Sequence, residues 1–294
     1  MGANDFGYGL NGGWPDRYAE IYQTRALSVN ELVNSVSVRI YDMAAQWLKT
    51  PEWSGQRTFD PYCRIFYVEN GSAWVECNHE RIDLLPGVFY FFPAWTEMFF
   101  PENHDTLLYL LHCRINVFSG IDIWHMLAPH PVVLNDCCLE IREAFKNFAL
   151  NPPKDMQGQM DLLALIYRLI ALFFRVGDFK LPGLPNLMVE RISRAINELE
   201  RNPTKVFRTE ELAKCCYMSR SRFCMEFKKV TGMSPAQYQQ LRRLFQIQQH
   251  LLHSDVKLEV LAQNFGFSSA YHLSNTFKRY LGISPSVFRK RGHL

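Results

Sequence analysis

The sequence predicts an α+β fold, in which a strand-rich N-terminal part is followed by helices. From about residue 30 to residue 118, short runs of β-branched, aromatic and aliphatic residues alternate with turn signals such as Glu69-Asn70-Gly71 and Leu85-Pro86-Gly87. Short strands at roughly ten-residue spacing are typical of a sandwich or barrel. Beyond residue 187 the apolar residues follow helical spacing, and one segment occurs twice. A length of 294 residues allows two domains.

The repeated segment starts at Leu212-Ala213 in the first copy and at Leu261-Ala262 in the second. Both copies contain a Phe-Lys pair and end in Gly-x-Ser-Pro, at residues 232–235 and 282–285. The offset between the copies is 49 residues in the first half and 50 in the second, so one residue is added at the turn. A match of this length with a single insertion indicates one supersecondary unit that is used twice.

Each copy predicts two short helices joined by a tight turn. Ser219 is the expected N-cap of the second helix in the first copy, and Gly232 is its expected C-terminal stop. The apolar residues at positions i, i+4 and i+7 of each second helix are expected to be buried: Phe223, Phe227 and Val230 in one copy, Leu273, Phe277 and Tyr280 in the other. The free face is polar and basic. This arrangement predicts a helix-turn-helix, whose second helix can enter the major groove of DNA.

The charge of the chain is concentrated at its C-terminal end. Residues 187–294 contain 18 Lys and Arg against 8 Asp and Glu, a net charge of +10, whereas the first 186 residues have a net charge of −7. Ordinary helical hairpins with solvated basic faces would explain the repeat alone. A strongly basic third within a chain of net charge +3 favours a polyanion as the partner of that third.

The motifs of the second copy carry a family resemblance. Gly266-Phe267-Ser268-Ser269, followed by Phe277-Lys278-Arg279-Tyr280 and Gly-x-Ser-Pro, makes residues 187–291 resemble the DNA-binding domain of AraC family bacterial transcription regulators. The resemblance implies seven helices in two subdomains, bridged by one long helix over about residues 235–252. At ~1.5 Å per residue such a helix spans roughly 27 Å. That is of the order needed to place two recognition helices about one DNA turn (~34 Å) apart.

The second helix of each copy supplies the predicted contacts to double-stranded DNA. These residues are Arg220, Ser221, Arg222, Cys224, Met225, Lys228 and Lys229 in the first copy and Ala270, Tyr271, His272, Ser274, Asn275, Lys278 and Arg279 in the second. The cations are expected mainly at phosphates and the others at bases. Asn275 suits adenine N6 and N7, whereas Met225 lacks the bidentate guanine contact that arginine makes in many family members.

The strand-rich part is similar to the cupin-type barrel of sugar-responsive AraC regulators, through Phe66-Tyr67-Val68, Gly71 and the Leu85-Pro86-Gly87 turn. Many cupins are metalloenzymes that hold a divalent ion with a His-x-His pair, a Glu and a further His. This chain has no His-x-His pair, His79 falls in a predicted turn, and His112 is the only histidine on a predicted strand. The sequence therefore predicts no metal, no cofactor and no enzyme activity.

A barrel mouth is a common site for a small molecule, and four residues are candidates for binding an effector. They are Arg57, Arg64, Trp95 and His112. An aromatic ring packs against the C–H face of a sugar, and a guanidinium or imidazole fixes hydroxyl or carboxylate groups. A structural role explains each residue equally well: surface salt bridges for the arginines, core packing for Trp95, and ordinary hydrogen bonds for His112. The strand register decides between the two roles, since a one-residue slip turns a strand side chain to the other face.

Two apolar helices follow the barrel, at about residues 136–149 and 157–176. The second is apolar around more than half of its circumference, which is more than one covered face requires. In the family that the chain resembles, such helices mediate dimerisation, so the resemblance implies a homodimer; burial of the helix within its own domain is the alternative. Residues 177–186 contain two prolines and two glycines and form the expected linker. The predicted organisation is therefore a sensor barrel with an N-terminal arm at 1–135, dimerisation helices at 136–176, the linker, and the DNA-binding domain at 187–294.

Other features of the sequence exclude membrane and export functions. No run of about 18 apolar residues occurs, and the N-terminus lacks the basic start and apolar core of a signal peptide. The eight cysteines lack metal-ligand spacing and are expected to be reduced. We therefore expect a cytoplasmic, ligand-responsive transcription regulator of carbohydrate-metabolism genes, with a sugar or sugar acid as effector and RNA polymerase as a candidate partner. The alternatives are a regulator whose barrel only dimerises, and a cupin isomerase or oxygenase.

Overall fold

The computed structural model describes residues 28–48, 56–101, 105–118, 120–127, 130–177, 179, 183 and 186–292. The predicted N-terminal arm and most of the predicted linker lie outside the described residues.

Within the described residues, ten strands form two antiparallel sheets. Six strands make the larger sheet, in the order β1-β8-β3-β6-β10 with β9 paired to β8: β1 (Ser37–Trp47), β3 (Cys63–Asn70), β6 (Phe89–Phe92), β8 (Leu107–Val117), β9 (Ile121–Asp122) and β10 (Val132–Leu134). Four make the smaller sheet, in the order β2-β7-β4-β5: β2 (Gln56–Phe59), β4 (Ala73–Cys77), β5 (Glu80–Leu84) and β7 (Glu97–Phe100). The turn signal at residues 85–87 lies between β5 and β6, as predicted. The turn predicted at residues 69–71 comes later than expected, because Glu69 and Asn70 are the last residues of β3 and only Gly71 lies beyond the strand.

Apolar side chains that alternate along the strands fill the space between the two sheets. Phe66 and Phe92 from the larger sheet pack with Val75, Met98 and Phe100 from the smaller one, and all five are buried. Strands such as β3 and β6 are buried on both faces, because helices cover the other face of the larger sheet. Two sheets with a filled interior therefore make up the strand-rich part.

In the part of the chain that the structure describes, four helices accompany the sheets. They are α1 (Val29–Asn34), α2 (Ile123–Met126), α3 (Leu139–Leu150) and α4 (Met156–Val176). The last two confirm the two helices predicted after the strands. On α4, Leu162, Ile166 and Phe173 are buried, and Phe173 packs against Phe91 of β6 with ring centroids 5.1 Å apart. One side of α4 therefore closes the core of the larger sheet.

Residues 186–292 form seven helices, and the repeat lies within two three-helix units of them. They are α5 (Asn186–Arg201), α6 (Thr209–Cys215), α7 (Arg220–Thr231), α8 (Pro235–His253), α9 (Leu258–Asn264), α10 (Ala270–Leu281) and α11 (Pro285–Gly292). The first unit is α5–α7 and the second is α8–α10. In each unit the last two helices form the helix-turn-helix, so its first helix is α6 or α9 and its second helix is α7 or α10. The helix α8 matches the predicted bridge, one residue longer than expected at its C-terminal end.

Local capping signals place the ends of α7 and α10. The hydroxyls of Ser219 and Ser269 accept hydrogen bonds from the first turn of each helix, and Gly232 and Gly282 end the helices in the left-handed conformation at φ 74° and 76°. The predicted buried residues are confirmed for Phe223, Phe227, Val230, Leu273 and Phe277. The sixth, Tyr280, is only half-buried, and the neighbouring Leu281 is buried in its place.

The turn inside each unit is the same motif with a different residue at its centre. Met218 N–H donates to the carbonyl of Ala213 and Tyr217 N–H to that of Lys214, which is a Schellman arrangement at the end of α6. The second unit repeats both bonds, with Gly266 at φ 67° in the central position. Tyr217 has φ 56°, a conformation that costs a residue other than glycine roughly 1–2 kcal/mol.

The two units differ in what they pack against. Phe223, Ile196 and Tyr238 of the first unit and its bridge belong to one continuous core that also contains Phe91 and Trp124 of the strand-rich part. The chain after β8 approaches α5 so closely that a Cβ on Gly120 would lie 2.8 Å from a methyl carbon of Ile196. The second unit has a separate core, formed by residues such as Ile247, Leu273 and Phe277.

The α+β fold class is confirmed, with strands first and helices last. A closed, cupin-like barrel stays a prediction, because the strands are arranged as two sheets and closure between them is not established.

Candidate DNA-binding surface and effector cavity

The second helices of the two units present their predicted faces to solvent. The exposed members are Arg220, Ser221, Arg222, Met225, Lys228 and Lys229 on α7 and Tyr271, His272, Asn275, Lys278 and Arg279 on α10. Three smaller residues, Cys224, Ala270 and Ser274, are half-buried. The apolar side chains on the opposite face hold each helix against its own unit. Both helix faces are therefore exposed, as a helix that enters a DNA groove requires.

Ion pairs distinguish the two faces. On α7, Arg222 Nε donates to the buried Glu226 at 2.7 Å, and Arg220 pairs with Glu210 at 3.1 Å. On α10, no salt bridge to Lys278 or Arg279 occurs among the described residues. The α7 helix therefore presents arginines that are held in place by carboxylates, and Lys228 and Lys229 add positive charge near its C-terminal end.

A cavity of about 480 Å³ lies between the strand-rich part and the second helix-turn-helix unit. One wall comes from β1, β2, β3, β8 and the turn before β3. The other wall comes from the C-terminal half of α8 and from the ends of α10 and α11. The side chains that line it are Tyr41, Asp42, Gln46, Arg57, Thr58, Asp60, Tyr62, Arg64 and His112 on the first side, and Phe245, Gln248, Gln249, Leu252, His253, Leu281, Ile283 and Phe288 on the second.

Paired charges and aromatic rings shape the wall of the strand-rich part. Arg64 is 2% exposed; it forms an ion pair with Asp60 and donates to Thr58 Oγ1 at 2.9 Å. The Asp60 carboxylate also accepts from Gln248 of α8 at 3.3 Å, so one acid joins both walls. Burial, with the nearby Asp60 charge, raises the pKa of the Tyr62 hydroxyl well above its ordinary value, so this phenol stays protonated.

His112 is a buried polar residue at the cavity wall with an unused hydrogen-bonding atom. Its ring stacks on Tyr62 at a centroid distance of 4.7 Å, and Nε2 has no hydrogen-bond partner among the described residues. Burial, assisted by the Arg64 charge, lowers the pKa of His112 to about 3. The imidazole is therefore neutral and offers one donor and one acceptor at the cavity wall.

Three of the four predicted effector residues meet in this cavity. Arg57, Arg64 and His112 line it, although Arg57 is half-exposed and already paired with Glu76 and Glu97. Trp95 does not reach it. Trp95 follows β6 at φ 60°, and its ring turns into the core, with centroids 5.6 Å from Phe59 and 6.3 Å from Tyr238.

The position of the cavity also differs from the predicted barrel interior. Side chains such as Phe66, Phe92 and Met98 occupy the space between the sheets. The cavity lies outside that space, where the larger sheet and β2 face α8. Sequence alone gave no sign of this wall, because it forms only when residues about 190 positions apart come together, as Asp60 and Gln248 do.

A buried ionic cluster joins the strand-rich part to the first unit. Arg114 of β8 donates to Glu200 at 2.8 Å, to Tyr238 Oη at 2.9 Å and to the Gly120 carbonyl at 3.0 Å. Arg242 of α8 pairs with the same Glu200. Burial alone would raise the pKa of the Glu200 carboxyl, but Arg114 and Arg242 lower it below its ordinary value. Four side chains from β8, α5 and α8 thus form one hydrogen-bonded cluster.

None of these four residues was among the predicted functional residues. The available signal was Arg114 itself, which follows the run Leu-Leu-Tyr-Leu-Leu-His-Cys on a strand that is buried along most of its length. A charge within such a run must be paired, because an unpaired buried charge is very costly. Its partners lie 86 and 124 residues away, where no local pattern identifies them.

Nowhere in the described ranges do three or more His, Cys, Asp or Glu side chains come together as a metal ion would need. Within the same ranges, no helix has the length and apolar character required to cross a membrane. The eight cysteines are all free thiols, five of them buried.

Two tandem helix-turn-helix units with exposed polar and basic second helices define a DNA-binding regulator of the helix-turn-helix class, and similarity to known proteins agrees. A helix-turn-helix domain family matches residues 212–291. The raffinose operon transcriptional regulatory protein RafR of Pediococcus pentosaceus is 25% identical over 249 residues, which are 81% of this chain and 88% of that protein. An uncharacterized HTH-type transcriptional regulator of Haemophilus influenzae is 31% identical over 255 residues, which are 77% of this chain and 86% of that protein.

The fold has a counterpart among solved structures. ToxT of Vibrio cholerae, in a crystal structure with a bound unsaturated fatty acid, is similar with a TM-score of 0.55 over 87% of this chain and 95% of that chain, at 13% sequence identity. At that identity the likeness concerns the fold. Taken with the sequence relatives, the chain belongs to the AraC family of transcription regulators.

Proposed function

We propose that this protein is a ligand-responsive, sequence-specific transcription regulator in which an effector in the 480 Å³ cavity controls how the second helix-turn-helix unit is placed on DNA. The observation that carries the proposal is the position of the cavity: one wall belongs to the strand-rich part, and the other belongs to α8, α10 and α11. A molecule that contacts both walls changes the relative energies of their arrangements, and a ligand acts only through such a difference. Residues 1–135 then form the sensor and residues 187–294 the DNA-binding domain.

On DNA, α7 and α10 are proposed to enter successive major grooves on one side of the duplex. The exposed cations of both helices engage phosphates, which gives affinity for any sequence. Ser221, Met225, Tyr271 and Asn275 face the bases, together with the half-buried Cys224 and Ser274. The amide of Asn275 reads adenine, and Met225 and Tyr271 pack against thymine methyl groups.

Two substitutions on α10 separate base reading from phosphate binding. Asn275→Ala is expected to relax the preference at a single base pair, by about 1–3 kcal/mol, because the amide is the group that reads the base. Lys278→Gln is expected to weaken binding to all duplexes and to lower the salt slope of the binding constant by about one. Binding titrations against a randomised duplex library at several salt concentrations measure both effects.

Lys154→Gln is the matched control for the phosphate contact. Lys154 is exposed in the turn before α4, outside both helix-turn-helix units, so its loss should leave the salt slope unchanged. If Asn275→Ala retains the wild-type sequence profile, the base-reading assignment is wrong. If Lys278→Gln retains the wild-type slope, the groove-binding mode is wrong.

The effector is proposed to be a sugar or sugar acid, and the regulated genes to belong to carbohydrate metabolism. The RafR relative is named for a raffinose operon, and the cavity combines aromatic rings with polar groups, as sugar sites do. The rings come from Tyr41, Tyr62 and Phe245, which pack together with their centroids 5.4–5.9 Å apart. His112 supplies a donor and an acceptor on the wall of the strand-rich part, and Gln249 supplies them on the opposite wall. ToxT, of similar fold, binds an unsaturated fatty acid, so a fatty acid belongs in the same trial.

Filling the cavity should abolish the response to the effector. Gln249→Trp places an indole in the space between the walls. Wild-type protein with saccharides, uronic acids and oleate in turn should show a rise in melting temperature of several degrees with at least one of them, since a ligand at a hundredfold excess over Kd stabilises by about 2.7 kcal/mol. The Gln249→Trp variant should show no rise with that ligand.

Gln263→Trp, on the exposed side of α9 away from the cavity, should respond as the wild type does. A rise that persists in Gln249→Trp would place the effector elsewhere. If none of the compounds changes the wild-type melting temperature, the strand-rich part is better explained as a dimerisation module.

A homodimer is proposed through α4. Met156 is 82% exposed, Met160 58% and Tyr167 38%, and these residues follow one side of the helix, opposite the side that covers the sheet. Exposed apolar side chains along one side of a helix favour a protein partner, and a second copy of the chain fits there because closed dimers use the same patch twice. Analytical ultracentrifugation measures the association directly, and a monomer at micromolar concentration would contradict it. RNA polymerase and a cytoplasmic location follow from regulation of bacterial transcription and are proposed on that ground.

A further inference from the structure

Tyr217 has a left-handed backbone conformation, and the equivalent position of the second unit is a glycine, Gly266. Both units end their first helix in the same pair of hydrogen bonds, and the central residue is Gly266 at φ 67° in one and Tyr217 at φ 56° in the other. A residue other than glycine is strained there, and strained residues cluster at functional sites. The second unit shows that the turn itself does not require a side chain.

Packing does not account for the tyrosine. Its side chain is 77% exposed, so burial of the ring stabilises the fold very little. The ring meets Arg194 of α5, whose guanidinium carbon lies 5.3 Å from the ring centroid. Among the described residues, Arg194 has no carboxylate partner. The pair is therefore an exposed aromatic plane with a cation lying on it and with no acid to neutralise that cation.

The pair lies next to the N-terminus of α7. Tyr217 is two residues before the N-cap Ser219, and Arg220 is the first residue of the helix. Lys214, three residues earlier on α6, is also exposed. A cation stacked on a ring keeps the edges of its guanidinium available for hydrogen bonds, and that geometry suits a phosphate group. The charges around the pair favour a nucleic acid backbone over a protein surface as its partner.

We propose that Tyr217 and Arg194 form a contact site for the DNA sugar-phosphate backbone beside the groove that α7 enters. The left-handed turn directs the ring outwards, the ring orients Arg194, and both the guanidinium and the phenol hydroxyl donate to phosphate oxygens. The site belongs to the first unit only, because Gly266 leaves the second unit without the aromatic plane. This proposal rests on the DNA binding proposed above.

Tyr217→Gly should change folding and DNA binding in opposite directions. Relief of the strained conformation is expected to raise the melting temperature of the full chain by a few degrees. Loss of the ring and of the orientation of Arg194 is expected to weaken binding to a fluorescein-labelled random-sequence duplex by roughly three- to tenfold, the effect of one hydrogen bond of ordinary net strength. Arg194→Gln is expected to lower the salt slope by about one. A merely structural tyrosine would change stability and leave the salt slope alone.

Asn78→Gly is the matched control, because Asn78 has φ 50° in the exposed turn between β4 and β5, far along the chain from α7. It should raise the melting temperature and leave DNA binding unchanged. The proposal is overturned if Tyr217→Gly binds the duplex as tightly as wild type does, or if it lowers the melting temperature. A variant with unchanged duplex binding but reduced transcription in a reporter strain would assign the pair to a protein partner instead. If Lys278→Gln also has the wild-type salt slope, the failure lies with DNA binding by the helices as a whole.

Discussion

Arg114→Met is expected to lower the free energy of unfolding by about 3–5 kcal/mol, the largest effect of any single substitution considered for this protein. Arg114 is 4% exposed, and its three hydrogen bonds reach Glu200, Tyr238 and the Gly120 carbonyl. Methionine has a similar length and no charge, so the space stays filled while the acceptors lose their donor. Differential scanning calorimetry of the full chain measures the loss.

The same substitution should uncouple the two parts of the chain. Arg114 lies on β8, whereas Glu200 and Tyr238 lie on α5 and α8, so the cluster joins the strand-rich part to the first unit. One transition in the wild type should therefore separate into two. Arg168→Met is the control, since Arg168 is exposed on α4 and only 3.7 Å from an exposed Glu140; it should cost no more than ~0.5 kcal/mol. A loss of that size from Arg114→Met would show that the cluster does not hold the parts together.

The second large effect is a loss of stability in acid that His112 causes. Burial and Arg64 lower the pKa of this imidazole to about 3 in the folded protein, whereas the unfolded chain binds a proton near pH 6.5. Between those pH values the unfolded state therefore holds more protons, and stability falls as the pH falls. The difference corresponds to about 4–5 kcal/mol between pH 6.5 and pH 3. Denaturant titrations across this range measure it.

Comparison with His112→Gln isolates this contribution, because other groups titrate in the same range. Burial raises the pKa of Asp122 to about 7, so this carboxyl group stabilises the folded state in acid. That stabilisation is lost as the pH rises from about 4 to 7. That opposite trend flattens the wild-type curve but is common to both proteins. The variant should keep more of its stability in acid than wild type does, and His250→Gln, at an exposed position, should not. Parallel curves for wild type and His112→Gln would contradict the burial of a neutral imidazole.

Local patterns made the helix-turn-helix units predictable. Serine at the start of α7 and α10, glycine at their ends, and apolar residues at helical spacing all act within a few residues of one another. The strands were predictable for a similar reason, since turn signals such as Leu85-Pro86-Gly87 are local. Each of these features depends on chemistry that a short window of sequence contains.

The cavity and the ionic cluster depend on contacts that no short window contains. Arg57, Arg64 and His112 were predicted as effector residues, but their neighbours across the cavity, Phe245 and Gln248, are about 130–190 positions away. Trp95 was predicted to lie beside them. Its own left-handed backbone conformation, three residues after β6, instead directs its ring into the core. The direction of one side chain at a strand end is decided by the backbone of that turn, which hydrophobic patterning does not specify.

The separate core of the second unit has a consequence for how the protein fluctuates. The first unit can open only together with the sheet core that it shares, so its amide hydrogens should exchange at the slow rate of global unfolding. Ile247, Leu273 and Phe277 belong to a smaller cooperative group that can open by itself. The half of the DNA-reading surface next to the cavity is thus the half whose local equilibrium a bound molecule can shift without disturbing the rest of the fold.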